Sequence, residues 1–251
     1  MQHDRKKTTR LDLELVKRGI TPSRSRAQDL IRRGFIEVDG ALNLKSSTRI
    51  RPQNIVCLSQ NSPCYVSRGA EKLKAGLEHF KFSVQGRQCL DIGASTGGFT
   101  DILLRNGARK VIAIDVGHGQ LDNSLRKRPE VTNIQGMDAR LLNLEIIGSP
   151  ANAVVIDVSF ISIIKILPSI IPLMSHSCWL IMLIKPQFEV GPIHVRRGGI
   201  VTDSSIRELA LSRVVNWLVK NTNLTFCGTL VSPILGGSGN QEYLVGAFRS
   251  G

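Results

Sequence analysis

The stretch Cys89-Leu-Asp-Ile-Gly-Ala-Ser-Thr-Gly-Gly-Phe-Thr100 decides the fold. Residues 89–92 read as a short buried strand, and a glycine-rich turn then leads into a helix running to Arg105. Glycine has no Cβ and tolerates positive φ, so such a turn lets the backbone come close to a ligand. The spacing of a phosphate-binding loop is met at Gly93, Gly98 and Thr100, but Phe99 occupies the place of its lysine. The dinucleotide spacing G-x-G-x-x-G fails as well, because Ala94-Ser95 follows Gly93. The turn therefore suits a nucleoside-like ligand that does not depend on a polyphosphate. Asp91, Gly93, Ala94, Ser95, Gly97, Gly98 and Phe99 are its candidate contacts, with Phe99 read as packing beneath the ligand.

Outward from this turn, strand and helix patterns alternate. A helix is predicted over 69–80, strands over 111–116, 131–135, 153–158 and 179–184, and helices near 121–126, 161–171 and 204–220. Strands over 226–231 and 243–248 close the chain with no helix between them. The apolar runs are continuous rather than alternating, as in parallel strands covered on both faces. The expected class is α/β, a Rossmann-like and mostly parallel seven-stranded sheet with helices on both faces.

In such sheets ligands bind beyond the carboxyl ends of the strands. Asp91 stands at the end of the first strand, Asp115 at the end of the second, and Asp138 just after the third. Asp115 is placed to accept from both ribose hydroxyls, and Asp138 from an adenine amino group. A single carboxylate after a strand is commonplace; three at successive strand ends beside a glycine turn point to a cofactor. The order resembles class I methyltransferases, which implies S-adenosylmethionine.

The chain of 251 residues has room for this domain of roughly 180 residues and a small appendage. Its formal net charge is +13, which points to a polyanionic partner. Residues 1–63 carry +7 of that excess. Within them, Leu11, Leu15 and Val16 mark a first helix over 8–18. Ser23 caps a second that runs to about Arg33, with Ala27, Leu30 and Ile31 inward and Gly34 as its stop. Residues 35–40 form a strand closing on an Asp-Gly hairpin turn, with a later strand over 55–58. Arg10-Leu-Asp12, Ser23-Arg-Ser-Arg-Ala27, Ile31-Arg-Arg-Gly34 and Ile36-Glu-Val-Asp-Gly40 together resemble the S4 RNA-binding domain. An arginine run is often only a solvated face, but four arginines on a short helix beside a hairpin favour phosphate contacts. Arg10, Arg24, Arg26, Arg32 and Arg33 are the candidate RNA contacts. The expected division is residues 1–60 as this small α+β module, 61–67 as a linker and 68–251 as the catalytic domain.

Several classes are disfavoured. The five cysteines form no C-x-x-C pair and their number is odd, and the five histidines are scattered, so neither a disulfide framework nor a metal site is expected. The basic N-terminus has no apolar core after it and does not read as a secretory signal. The apolar tract 159–184 is broken by Lys165, Pro168, Pro172 and His176, and reads as a helix and a strand rather than a membrane span. A cytoplasmic protein is expected, with ribosomal RNA or ribosomal subunits as partner.

Four further residues stand out: Lys72, Asp157, Lys185 and Glu242. Lys185 directly follows a buried-type strand and precedes Pro186. Burial lowers a lysine pKa, which a general base requires, while paired carboxylates raise it, so both directions stand at this stage. In order and local context the four match the Lys-Asp-Lys-Glu tetrad of FtsJ-like ribose 2′-O-methyltransferases. With the S4-like module in front, the chain from about Arg10 to Phe248 resembles the TlyA, or hemolysin A, family. The resemblance implies S-adenosylmethionine-dependent 2′-O-methylation of cytidine in 23S and, for some members, 16S rRNA. It implies that Lys185 takes the 2′-hydroxyl proton or steers its lone pair, that Asp157 and Lys72 hold its amine, and that Glu242 completes the network and helps orient Lys72 or the nucleotide. The loop 191–199 is placed near the same face, and its Arg196 and Arg197 are given no catalytic role. A membrane-active hemolysin and a non-catalytic rRNA assembly factor are the competing readings, and the intact tetrad disfavours both.

Overall fold

A computed structural model describes residues 8–62 and 65–250. It forms two compact units, residues 1–64 and 65–251. In the first, a two-residue strand β1 (Thr9–Arg10) leads into α1 (Leu11–Lys17), and α2 (Arg24–Arg32) follows. Ser23 caps α2 by accepting from the Arg26 backbone N–H, as its small polar side chain favours. After it come β2 (Ile36–Val38), β3 (Ala41–Leu42), β4 (Arg49–Ile50) and β5 (Val56–Leu58). β2 and β3 meet at Asp39 and Gly40, both with positive φ (52° and 81°), the geometry of a tight hairpin turn. The sheet order is β3-β2-β5, while β1 pairs separately with β4. Leu11, Leu15, Ala27, Leu30, Ile31, Ile36, Ile50 and Val56 make the core of this unit.

The second unit starts with α3 (Gly69–Phe80), which packs on α4. Then follow β6 (Gln88–Ile92), α4 (Gly98–Arg105), β7 (Lys110–Asp115), α5 (Asn123–Arg126), β8 (Val131–Gln135), α6 (Leu144–Ile147) and β9 (Ala151–Ile156). After them come α7 (Leu167–Ile170), β10 (Met174–Ile184), α8 (Pro186–Glu189), α9 (Ser204–Asn221), β11 (Thr225–Val231) and β12 (Tyr243–Arg249). The seven strands lie in the order β11-β12-β10-β9-β6-β7-β8. β10, β9, β6, β7 and β8 are parallel neighbours, and β12 runs antiparallel between β10 and β11. Because β6 has β7 on one side and β9 on the other, the strand order reverses at its carboxyl end. A crevice opens at such a point.

The continuous apolar runs have a simple cause. In β9, Val154 and Ile156 join the core that includes Leu167, Ile170, Val214 and Leu218, whereas Ala153 and Val155 join the one that includes Leu73, Phe99 and Leu103. Alternate side chains of one strand thus enter opposite layers, and both layers are apolar. The helix expected over 161–171 is broken. Two 3₁₀ turns, Ile163–Lys165 and Ile171–Leu173, flank a single α-turn. Pro168 and Pro172 lack the amide donor that a continuous helix would need. β10 starts five residues before the expected 179, with a register break between Met174 and Trp179.

Candidate active site

At the carboxyl ends of β6, β7 and β9 lies a cavity of about 490 Å³. The glycine turn forms one wall. Gly93 sits at φ 82°, and a Cβ there would collide with the Asp157 carbonyl oxygen. The approach follows from pairing past the strand ends, where Asp157 N–H donates to the Ile92 carbonyl at 2.8 Å. Glycine at 93 thus lets the turn pack directly on the Asp157 backbone, and Gly93 itself lines the cavity. Gly98 serves a different contact. A Cβ there would meet Ser67 Oγ and stand 2.9 Å from Ala70 N, so the start of α4 is pressed against the start of α3. Tyr65, Val66 and Ser67, in the stretch read as a linker, lie in the second unit, and Val66 N–H donates to Asp101 Oδ2.

The expected cofactor residues separate into two groups. Gly93, Ser95, Asp115 and Asp138 line the cavity; Asp91, Ala94, Gly97, Gly98 and Phe99 are not among its walls. Asp115 spans two loops, accepting from Ser95 N–H at 2.8 Å through Oδ2 and from Gly117 N–H at 2.7 Å through Oδ1. Asp138 caps a 3₁₀ turn through the Arg140 backbone N–H and pairs with the Arg140 guanidinium. Phe99 packs in the α3–α4 layer with Leu73 and Leu103. Asp91 is wholly buried, and only its Oδ2 is bonded, accepting from Thr100 Oγ1 at 2.6 Å. Burial raises its carboxyl to about 7, against the Thr100 hydrogen bond; the carboxylates of Asp157 and Asp115 add to the rise. The carboxylate of Asp115, the Ser95 side chain and the bare Gly93 backbone on the cavity walls fit a nucleoside-like ligand.

The four tetrad positions form two pairs. Lys72, on α3, donates to Glu242 Oε2 at 2.5 Å, and both side chains are almost fully buried, at 8% and 3% exposure. Lys185, just past β10, forms an ion pair with Asp157 Oδ1 at 2.6 Å, without hydrogen-bond alignment at that oxygen, and donates to Ser159 Oγ at 2.8 Å. Among the described residues no hydrogen bond or ion pair joins Lys72 to Asp157 or Lys185. The expectation that Lys72 helps hold the Lys185 amine is replaced by a partnership with Glu242. The cause is topological. Asp157 and Lys185 follow neighbouring parallel strands, with Ile156 opposite Met182, whereas Lys72 reaches Glu242 from the helix layer.

Three residues outside the expected set shape the site. Ser159 supplies the second Lys185 contact and lines the cavity. Glu189, buried, accepts from Ser162 Oγ at 2.6 Å and Ile163 N–H at 2.8 Å, clamping the segment after Asp157 to the turn after Lys185. Burial raises its carboxyl, opposed by these same hydrogen bonds. Asn240 accepts from Val201 N–H at 2.9 Å and donates to the Gly199 carbonyl at 2.7 Å, tying the end of the 191–199 loop to the segment that carries Glu242. A polar residue close in sequence to Asp157, Lys185 and Glu242 was the available signal.

In the first unit, Arg10 and Arg24 both donate to buried Asp12 at 2.9 Å, joined by Gln28 at 2.8 Å. Arg26 pairs with Asp29 at 3.3 Å, and Arg33 lies 3.8 Å from the same carboxylate and over the Phe35 ring. Arg32 is exposed. No group of His, Cys, Asp and Glu among the described residues is arranged to hold a metal ion.

The FtsJ-like methyltransferase family model matches residues 65–249. The 16S/23S rRNA (cytidine-2′-O)-methyltransferase TlyA of Mycobacterium tuberculosis is 41% identical over 94% of this chain and 88% of its own length. Hemolysin A of Brachyspira hyodysenteriae is 42% identical over 94% of this chain and 98% of its own. Among solved structures, the "Putative hemolysin from Streptococcus thermophilus" superposes with a TM-score of 0.76 at 34% identity, covering 98% of this chain and 90% of that one.

Proposed function

The chain belongs to the FtsJ-like methyltransferase family and to its TlyA group, and from that premise we propose that it methylates the ribose 2′-hydroxyl of a cytidine in ribosomal RNA, using S-adenosylmethionine. The observation that carries this reading is shared walls: Asp157 and Ser159, which hold Lys185, also line the cavity bounded by the glycine turn. Asp115, with Ser95 and Gly93, holds the adenosine part, and buried Asp91 supports the glycine turn from beneath through Thr100. When bound, the cofactor supplies a methyl group on a sulfonium, an electrophile that needs no further activation. The chain then has to bring the 2′-oxygen into line with that methyl and take up its proton. Lys185 is the group for both tasks: as the neutral amine it accepts the proton, and the ammonium so formed pairs with Asp157, which also fixes its position. Lys72 and Glu242, buried together, act as a polar strut between α3 and the segment before β12. Holding two reactants replaces a bimolecular encounter, and placement of this kind supplies a large part of a rate.

The first unit, residues 1–64, is the RNA-docking module in this reading, and folded rRNA within a ribosomal subunit is its partner. A cytoplasmic location follows from that substrate. The name hemolysin carried by relatives suggests membrane activity instead; no helix among the described residues is long and apolar enough to cross a membrane. Labelled methyl transfer from S-adenosylmethionine to 30S and 50S subunits, with mapping of the modified ribose, tests the proposal. Lys185→Ala is expected to keep cofactor affinity and lose at least 100-fold in kcat, in the range of a general base. Unchanged turnover in that variant overturns the assignment.

A further inference from the structure

We propose that Ser159 is a positioning residue for Lys185, fixing the direction of the amine toward the nucleophile. The inference rests on the methyl-transfer reading above. A lysine Nζ on its flexible stem has three directions for hydrogen bonding and turns freely about its last bond. Asp157 Oδ1 at 2.6 Å holds the amine by charge, without an aligned hydrogen bond. An ion pair of that kind leaves the amine free to turn. Ser159 Oγ, accepting at 2.8 Å, supplies the aligned hydrogen bond that stops the rotation and fixes the remaining directions for the substrate oxygen. Asp157 and Ser159 both line the cavity, and the Lys185 amine sits directly behind them.

Ser159 does not owe its place to Lys185. The segment that carries it is pinned at its start by Asp157 N–H to the Ile92 carbonyl, and at its end by Glu189, which holds Ser162 and Ile163. Glu189 itself lies four residues after Lys185 on the turn formed by α8, and its carbonyl accepts from Arg213 of α9. The two segments are thus braced together independently of the Lys185–Ser159 bond. Such bracing holds the acceptor ready before substrate arrives. Asp157 is one of the four tetrad residues; Ser159 is not, and enters through this geometry.

The side chain of Ser159 is exposed, so its replacement leaves the core intact. Steady-state methyl transfer to ribosomal subunits is measured for Ser159→Ala, Ser159→Thr and Lys185→Ala, alongside calorimetric titration with S-adenosylmethionine. In Ser159→Ala, kcat is expected to fall about tenfold, the worth of one hydrogen bond to a charged group. KM for RNA and the cofactor Kd stay within about twofold, and Ser159→Thr, which keeps the hydroxyl, restores most of the rate. A Ser159→Ala protein of unchanged kcat, beside an inactive Lys185→Ala protein, overturns this inference alone. So does a loss of cofactor affinity that matches the loss of rate, or a threonine variant as slow as the alanine one. A fully active Lys185→Ala protein overturns the underlying reading and this inference with it.

Discussion

At the scale of single residues, the site depends on atoms that come unusually close or lack partners. Gly93 is one. A methyl group there would strike the Asp157 carbonyl, and φ 82° is strained for any L side chain. Gly93→Ala is expected to weaken S-adenosylmethionine binding by more than tenfold in calorimetric titration, since the turn must withdraw from Asp157 to admit the methyl. Asp91 gives a pH signature. Burial raises its carboxyl to about 7 in the folded chain, against about 4 when unfolded. Its contribution is intact below about pH 4 and is lost as pH rises through the folded value, because ionising a buried carboxyl costs free energy that the unfolded chain avoids. Asp91→Asn keeps an acceptor for Thr100 and removes the ionisation. The melting temperature of the variant relative to the parent should rise between pH 4 and pH 8 in cofactor-free protein; a constant difference would contradict the burial argument. Residues of this kind were partly legible. Asp91, Gly93 and Asp115 announce themselves by position after a strand, whereas Ser159 and Glu189 look like any serine or glutamate until two segments are folded against each other.

At the scale of elements, periodicity located most of what forms. The helix over residues 69–80 and the strand over 131–135 stand where apolar spacing puts them. Prolines mark the exceptions, since Pro168 and Pro172 turn an expected helix into short turns. The α1–α2 pair shows how an arginine-rich helix can hide a structural task. Asp12 is buried beneath Arg10, Arg24 and Gln28. The hydrogen bond from Arg10 above all, aided by Gln28 and Arg24, holds its carboxyl far below the usual carboxylate range. Its contribution is therefore present above about pH 4 and lost as pH falls toward the folded value. Asp12→Asn should destabilise the α1–α2 pair by about 2 kcal/mol at neutral pH, the cost of weakening charge-assisted bonds. Amide hydrogen exchange over residues 11–31 of the full chain reads that loss, and the gap to the parent should narrow in acid.

At the scale of the whole molecule, a net charge of +13 sets the conditions for meeting a polyanion. Four of the five arginines proposed for RNA contact already share carboxylates, Asp12 or Asp29. Arg32 is exposed and is the natural phosphate contact of the group. Arg32→Glu should weaken binding to rRNA fragments, lower the slope of log affinity against log salt by about 1 or more, and leave cofactor affinity unchanged. Sequence by itself determined the α/β class, the glycine turn after the first strand of the sheet, the strand-end carboxylates and the four charged residues proposed as the tetrad, because strand ends, glycine spacing and charged residues in apolar runs are local signals. Only the tertiary structure decided that the tetrad is two ion pairs, that Lys72 belongs to Glu242, and that Lys185 has Ser159 as a second partner. Each of these contacts joins segments 26 to 170 residues apart, and which distant groups meet is set by strand order and helix packing rather than by any local pattern.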